Sequence, residues 1–256
     1  MRVALATLWI LAGSILTAGV YWTFLITPES TAWMLIASAL LALAALAMAG
    51  FTASGAIALL LHGRSAAGIR RALTAIAGAI PAAAIVVIVW WLTTRGETWV
   101  GLRSGQINAY FIAQFGWDNM SWLFTTIHYV AAWCRWVLSG LLALSLIAGF
   151  VALGWSALGQ AAWLRRALRP RALLVATLWF VVLIAVPWIY LVPWRPKALP
   201  ASSVEAAFIA AKLSLSAVLF AIGAALIARE ASAPLWHTPS GVPSPISGSD
   251  PSAYPR

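Results

Sequence analysis

Six apolar runs dominate this chain, at 3–26, 31–61, 72–93, 136–163, 172–193 and 203–228. A helix crossing the hydrocarbon of a bilayer needs about 20 such residues, so each run is long enough to span. Lipid offers the backbone no hydrogen-bond partners, and a single run satisfies its own N–H and C=O groups only as a helix. The expected fold is an all-α integral membrane protein with six transmembrane helices. Composition agrees, with 63% apolar and 9% charged residues and a mean hydropathy of +0.93. The first run is longer than the roughly 7–15 apolar residues of a cleaved leader and reads as a retained helix.

A pattern inside these runs is written twice. Ala49-Gly50-Phe51-x-Ala53-x-Gly55-x-x-Ala58-Leu59 recurs as Ala148-Gly149-Phe150-x-Ala152-x-Gly154-x-x-Ala157-Leu158. Arg70-Arg71-Ala72-Leu73 recurs downstream as Arg165-Arg166-Ala167-Leu168. The first copy carries four more residues between Phe and Arg-Arg, about one helical turn, which leaves the helix faces aligned. We expect two parallel copies of a two-helix hairpin, about 31–93 and 131–193, within one membrane domain over 1–230. Ser38, Ala42, Ala45, Ala49 and Ala53 form a small-residue stripe, matched by Ser139, Ala143, Ala148 and Ala152. Such stripes let backbones approach closely in lipid. Pro81 and Pro187 fall inside spans and should kink them.

The net charge of +10 could suggest nucleic acid, but its distribution points to a membrane. Arg64, Arg70, Arg71, Arg165, Arg166, Arg169 and Arg171 crowd two short loops, and Arg2 and Arg229 flank the outermost spans. Six spans put all nine on one side. The positive-inside rule then places both termini in the cytoplasm of a bacterial inner membrane, with these arginines against anionic lipid headgroups. The tail over 231–256 is rich in Pro and Ser and reads as a disordered extension.

The stretch 94–135 is the most individual part. Ile107, Tyr110, Phe111, Gln114 and Phe115 suggest a short amphipathic helix lying on the outer surface. Trp122, Tyr129, Trp133 and Trp136 then follow at helical spacing, as one aromatic face. Eleven of the sixteen tryptophans fall at the outer end of this topology, either as an interfacial belt or as a docking face.

Catalytic signatures are sparse. None of the six carboxylates lies mid-span, which disfavours proton-coupled transport. His62, His128 and His237 occupy three separate environments and Cys134 is alone, so neither a metal site nor a haem pair nor a disulfide is expected. Asp118, Asn119, Ser121, Thr125, Thr126 and His128 could be read as an acyl-transfer cluster. Asp118 and Asn119 also suit helix capping, and ten residues separate Asp118 from His128. We expect no catalytic residue and no cofactor.

The candidate functional residues are Lys212 with Glu205, and Arg135, His128, Trp122, Tyr129 and Trp133 at the outer end. Lys212 is the one charge well inside a span. It can reach up its helix toward Glu205, seven residues away on the same face, or turn into a polar cavity. The expected function is that of a non-catalytic accessory or scaffold subunit engaging lipids or partner membrane proteins. A small transporter or channel for an apolar or amphiphilic solute is the alternative. An enzyme acting on a lipid-linked substrate at the outer face is the third reading.

Overall fold

The computed structural model describes residues 1–28, 31–63, 66–116, 121–191 and 202–232. Arg64, Asp118, Asn119 and the tail from 233 onward lie outside the described residues. Among those described there are helices and no strand. They run α1 (Arg2–Ile26), α2 (Ala32–His62), α3 (Ala66–Thr74), α4 (Ala79–Phe115), α5 (Ser121–Trp133) and α6 (Ser139–Leu153). After them come α7 (Ala162–Ala167), α8 (Pro170–Phe180) and α9 (Ser202–Ser232). Among the described residues five helical stretches are long and apolar enough to cross a membrane: Arg2–Ile26, Ala32–His62, Arg70–Phe115, Ser121–Gly159 and Val204–Ser232. Pro170–Ala185 is a shorter apolar helix.

Local chemistry explains the boundaries. Thr31 opens α2 by accepting the Met34 N–H on its hydroxyl at 3.3 Å. Gly63, at φ 66, ends α2, and Gly116, left-handed at φ 64, ends α4. Pro170 starts α8 where its missing N–H costs nothing. Pro81 falls in the first turn of α4, just after a tight 3₁₀ turn at Ala75–Gly78, so the expected kink is a junction. Pro187 opens the second of two widened π turns, Val181–Ala185 and Pro187–Leu191.

Arg2 Nη1 donates to the carbonyls of Leu60 and Leu61, both at 3.3 Å, so α1 begins where α2 ends. One buried cluster joins Ala6, Ile57, Leu60, Ala72, Leu146, Val151 and Ala228; a second joins Leu141, Ala167, Ala176, Ile227 and Ala231. These contacts bring Arg2, the Arg-Arg pairs of α3 and α7, and Arg229 to one end of the bundle, the basic end. Ala72 and Ala167, the alanines after the two Arg-Arg pairs, are both buried, while Leu73 and Leu168 are both exposed. The two glycine-bearing copies differ locally. Gly55 is helical and packed against Trp9, whereas Gly154 ends α6 at φ 62.

The packing of α2 and the course of 94–115 also depart from expectation. Ser38, Ala45, Ser139 and Ala148 are buried, but Ala42 and Ala49 face outward, so the buried face of α2 swings toward Gly50 and 54–58. Residues 94–115 also form no separate surface helix: α4 continues unbroken for 37 residues, about 55 Å. Gly96, Gly101 and Gly105 weaken a helix without breaking it, and Gly116 supplies the first left-handed turn. The hydrocarbon is only about 30 Å thick, so nearly half of the length of α4 exceeds it. With α5 it makes a helical hairpin in which no residue of 94–116 or 121–130 is buried.

Candidate functional site

Glu97, Arg135 and His128 meet where the hairpin leaves the bundle, with Thr93 and Ser139 beside them. Trp90, Thr93 and Glu97 lie on one stripe of α4 at spacings of three and four. His128 faces them from α5, the returning helix of the hairpin, and Arg135 from the turn just beyond it. One carboxylate oxygen of Glu97 pairs with the guanidinium of Arg135; the other lies 2.9 Å from His128 Nδ1, whose N–H donates to it. Arg135 Nε donates to Thr93 Oγ1 at 3.0 Å, and Trp90 Nε1 donates to the Arg135 carbonyl at 3.2 Å. Ser139 donates its hydroxyl to that same carbonyl. Trp90 and Trp136 pack edge to face at 5.1 Å.

The carbonyl of Arg135 lies where the helix widens. Cys134–Leu138 is a π turn between α5 and α6, and Arg135 sits within it. The same turn divides the expected aromatic face. Trp133 points to α8, donating to Thr177 Oγ1 at 2.8 Å, whereas Trp136 points to α4. Trp122 and Tyr129 are exposed along the arm. The four aromatics therefore do not share one surface.

The arm carries further apolar area. Trp99, Leu102, Tyr110 and Phe115 are exposed, Leu102 to 83%. Arg103 lies over the Trp99 ring at 4.3 Å, and Phe111 stacks on Phe115 at 5.5 Å. Thr125 and Thr126 donate to carbonyls of their own helix, so neither hydroxyl is directed at His128. Glu97 holds His128 Nδ1 as an orienting carboxylate would, and at the same time pairs with Arg135. Asp118, the acid considered for that role, lies outside the described residues. Among the described residues no three His, Cys, Asp or Glu side chains gather as metal ligands.

Lys212 is 8% exposed and Glu205 is exposed, although both lie on one face of α9. The Lys212 ammonium sits 5.2 Å from the Phe208 ring centroid, one turn toward the start of α9. It thus reaches in the direction that snorkelling requires, but inside the bundle. Ser216, one turn further along the same face, is also buried.

At the basic end Arg71 Nη1 lies 3.2 Å from His62 Nε2. Arg71, Arg165, Arg166 and Arg229 occupy last turns of their helices, where cations meet the negative end of the helix dipole. Arg70, Arg169 and Arg171 are exposed at the same end.

Glu97 is the member that sequence reasoning passed over. Its signal was present as two polar residues, Thr93 and Glu97, one turn apart and following Trp90 on α4, but its partners depend on the register of the hairpin. No known family, curated protein or solved structure matches this chain.

Proposed function

We propose that this protein is a non-catalytic accessory or scaffold subunit of a bacterial inner membrane, and that the hairpin of α4 and α5 is its docking arm. The carrying observation is that the far part of this hairpin, residues 94–116 and 121–130, exposes its aromatics without a buried residue and is locked at its base through Glu97, Arg135 and His128. A rigid base holds the exposed rings at a fixed height and angle, which lowers the ordering cost of binding a partner. Exposed aromatic surface of this kind characterises interaction sites.

Around the arm we infer six crossings, the sixth through Pro170–Leu191, and both termini in the cytoplasm, with the arm outside. The matched burial of Ala72 and Ala167 supports a parallel duplication of the basic turns. The arginines of the basic end then contact anionic lipid.

Purification in mild detergent tests the arm. A membrane partner should co-purify stoichiometrically, and Trp99→Ala combined with Tyr110→Ala and Tyr129→Ala should release it without lowering the thermal stability of the bundle. An undiminished complex in that variant overturns the docking role.

A second reading, a small transporter, is favoured by buried Lys212 and Ser216 and by a cavity of about 440 Å³ between α1, α2, α6 and α9. Ser14, Thr17 and Tyr21 of α1 and Thr52 of α2 line it. Solute flux through the purified protein in vesicles would select this reading over the scaffold.

A further inference from the structure

At the basic end α1, α2 and α3 enclose a groove of about 540 Å³, well inside the range of roughly 300–1,000 Å³ typical of small-ligand sites. Leu5, Leu8, Trp9 and Phe51 form its walls, and Gly55 and Ala58 lie at its floor. This is a constructed slot. A Cβ on Gly55 would come 2.4 Å from Trp9 Nε1, so only glycine admits the indole there. Trp9 Nε1 donates to the Thr52 carbonyl at 3.1 Å, and its ring meets Phe51 edge to face at 5.2 Å. The wall is fixed in position by three separate contacts.

The mouth of the slot has the opposite chemistry. Arg2 does not line the groove but is held at the end of α2, beside the lining residue Leu59, by its bonds to the Leu60 and Leu61 carbonyls. Arg71 is placed likewise, next to the lining residue Ala72 on the short helix α3 and 3.2 Å from His62, which precedes the lining residue Gly63. An apolar slot beneath a cationic rim matches two parts of one molecule. We propose that this groove binds a single anionic phospholipid, with one acyl chain against Trp9 and Phe51 and its phosphate at Arg2 and Arg71. A zwitterionic lipid fills the slot but leaves the rim cations with less compensating charge. A soluble phosphate meets the rim but gains nothing from the slot. The site is separate from the arm, so arm variants that lose a partner should keep the lipid.

Native mass spectrometry of the full-length protein in mild detergent tests this, with phosphatidylglycerol and phosphatidylcholine as probes. We expect one phosphatidylglycerol retained per chain, with at least tenfold preference over phosphatidylcholine and no competition from glycerol phosphate. Arg71→Gln should remove most of that preference. Ala12→Phe, which narrows the slot without altering charge, should lower retention of both lipids by tenfold or more. Because Arg2 also caps α2, the charge test rests on Arg71 alone, and thermal unfolding of each variant verifies its fold. Equal retention of the two lipids would reduce the groove to ordinary lipid solvation, and displacement by glycerol phosphate would reduce it to an anion contact; either overturns the proposal. Unchanged retention in Ala12→Phe would place the lipid elsewhere and overturn it equally.

Discussion

Glu97 and Arg135 pair across the base of the hairpin, one on α4 and the other within the π turn that joins α5 to α6. Their side chains are 23% and 16% exposed, so the pair is partly shielded from water. A partly shielded pair with further hydrogen bonds is stronger than a fully solvated one.

Removing either partner should therefore be felt. Glu97→Gln and Arg135→Gln are each expected to destabilise the protein by about 2 kcal/mol, the scale of hydrogen bonds to charged groups. The double variant should cost clearly less than the sum, since the two share one interaction. His128→Ala, at a side chain 68% exposed, should cost less than about 1 kcal/mol. Reversible unfolding in mild detergent measures all four, and strict additivity would show that Glu97 and Arg135 act independently.

The paired glycines should differ in sensitivity. A Cβ at Gly50 would lie 2.3 Å from the Ala79 Cβ, whereas at Gly149 the nearest atom, the Ala157 Cβ, is 3.2 Å away. Gly50→Leu is expected to cost about 3 kcal/mol or more and to reduce expression. Gly149→Leu should cost about 1–2 kcal/mol, within the usual range for overpacking. Equal effects in thermal unfolding would contradict the closer approach of α2 to α4.

Topology is open to a direct chemical test. In a background with Cys134→Ser, cysteines at Ser65 and Arg169 should react with an impermeant reagent only from the cytoplasmic face. A cysteine at Gly105, on the exposed arm, should react in intact cells. Labelling of position 169 in intact cells would refute the six-crossing arrangement.

Lys212→Met addresses the buried ammonium. A lysine at mid-membrane costs about 2.5–3.5 kcal/mol to insert, partly offset here by Phe208. The variant should assemble normally with unchanged or higher thermal stability, and partner co-purification should persist. Loss of a measured solute flux with the fold intact would instead make Lys212 part of a transport path.

Membrane character was legible in the sequence because apolar run length alone dictates helical spans. The grouping of Arg2, Arg70, Arg71, Arg165, Arg166 and Arg229 at one end was legible too, since span parity determines which loops share an end. The arm was not. Nothing local distinguishes a helix that lies on a surface from one that continues past it. The Glu97 pairing was hidden for a related reason: it depends on where the chain reverses between Gly116 and Ser121. The split between Trp133 and Trp136 follows from a π turn that helical periodicity does not foresee.

That turn has a consequence for how the arm is aimed. A π turn contains about one residue more than an α turn, so it advances the phase of everything beyond it by about 100°. Cys134–Leu138 thus separates two questions, which way α6 faces the bundle and which way α5 faces the outside. Deleting one residue there would leave Leu141 and Leu146 seated in the core while rotating the arm and carrying Arg135 off Glu97. The direction in which this protein reaches is set by counting residues, and a single one is enough to change it.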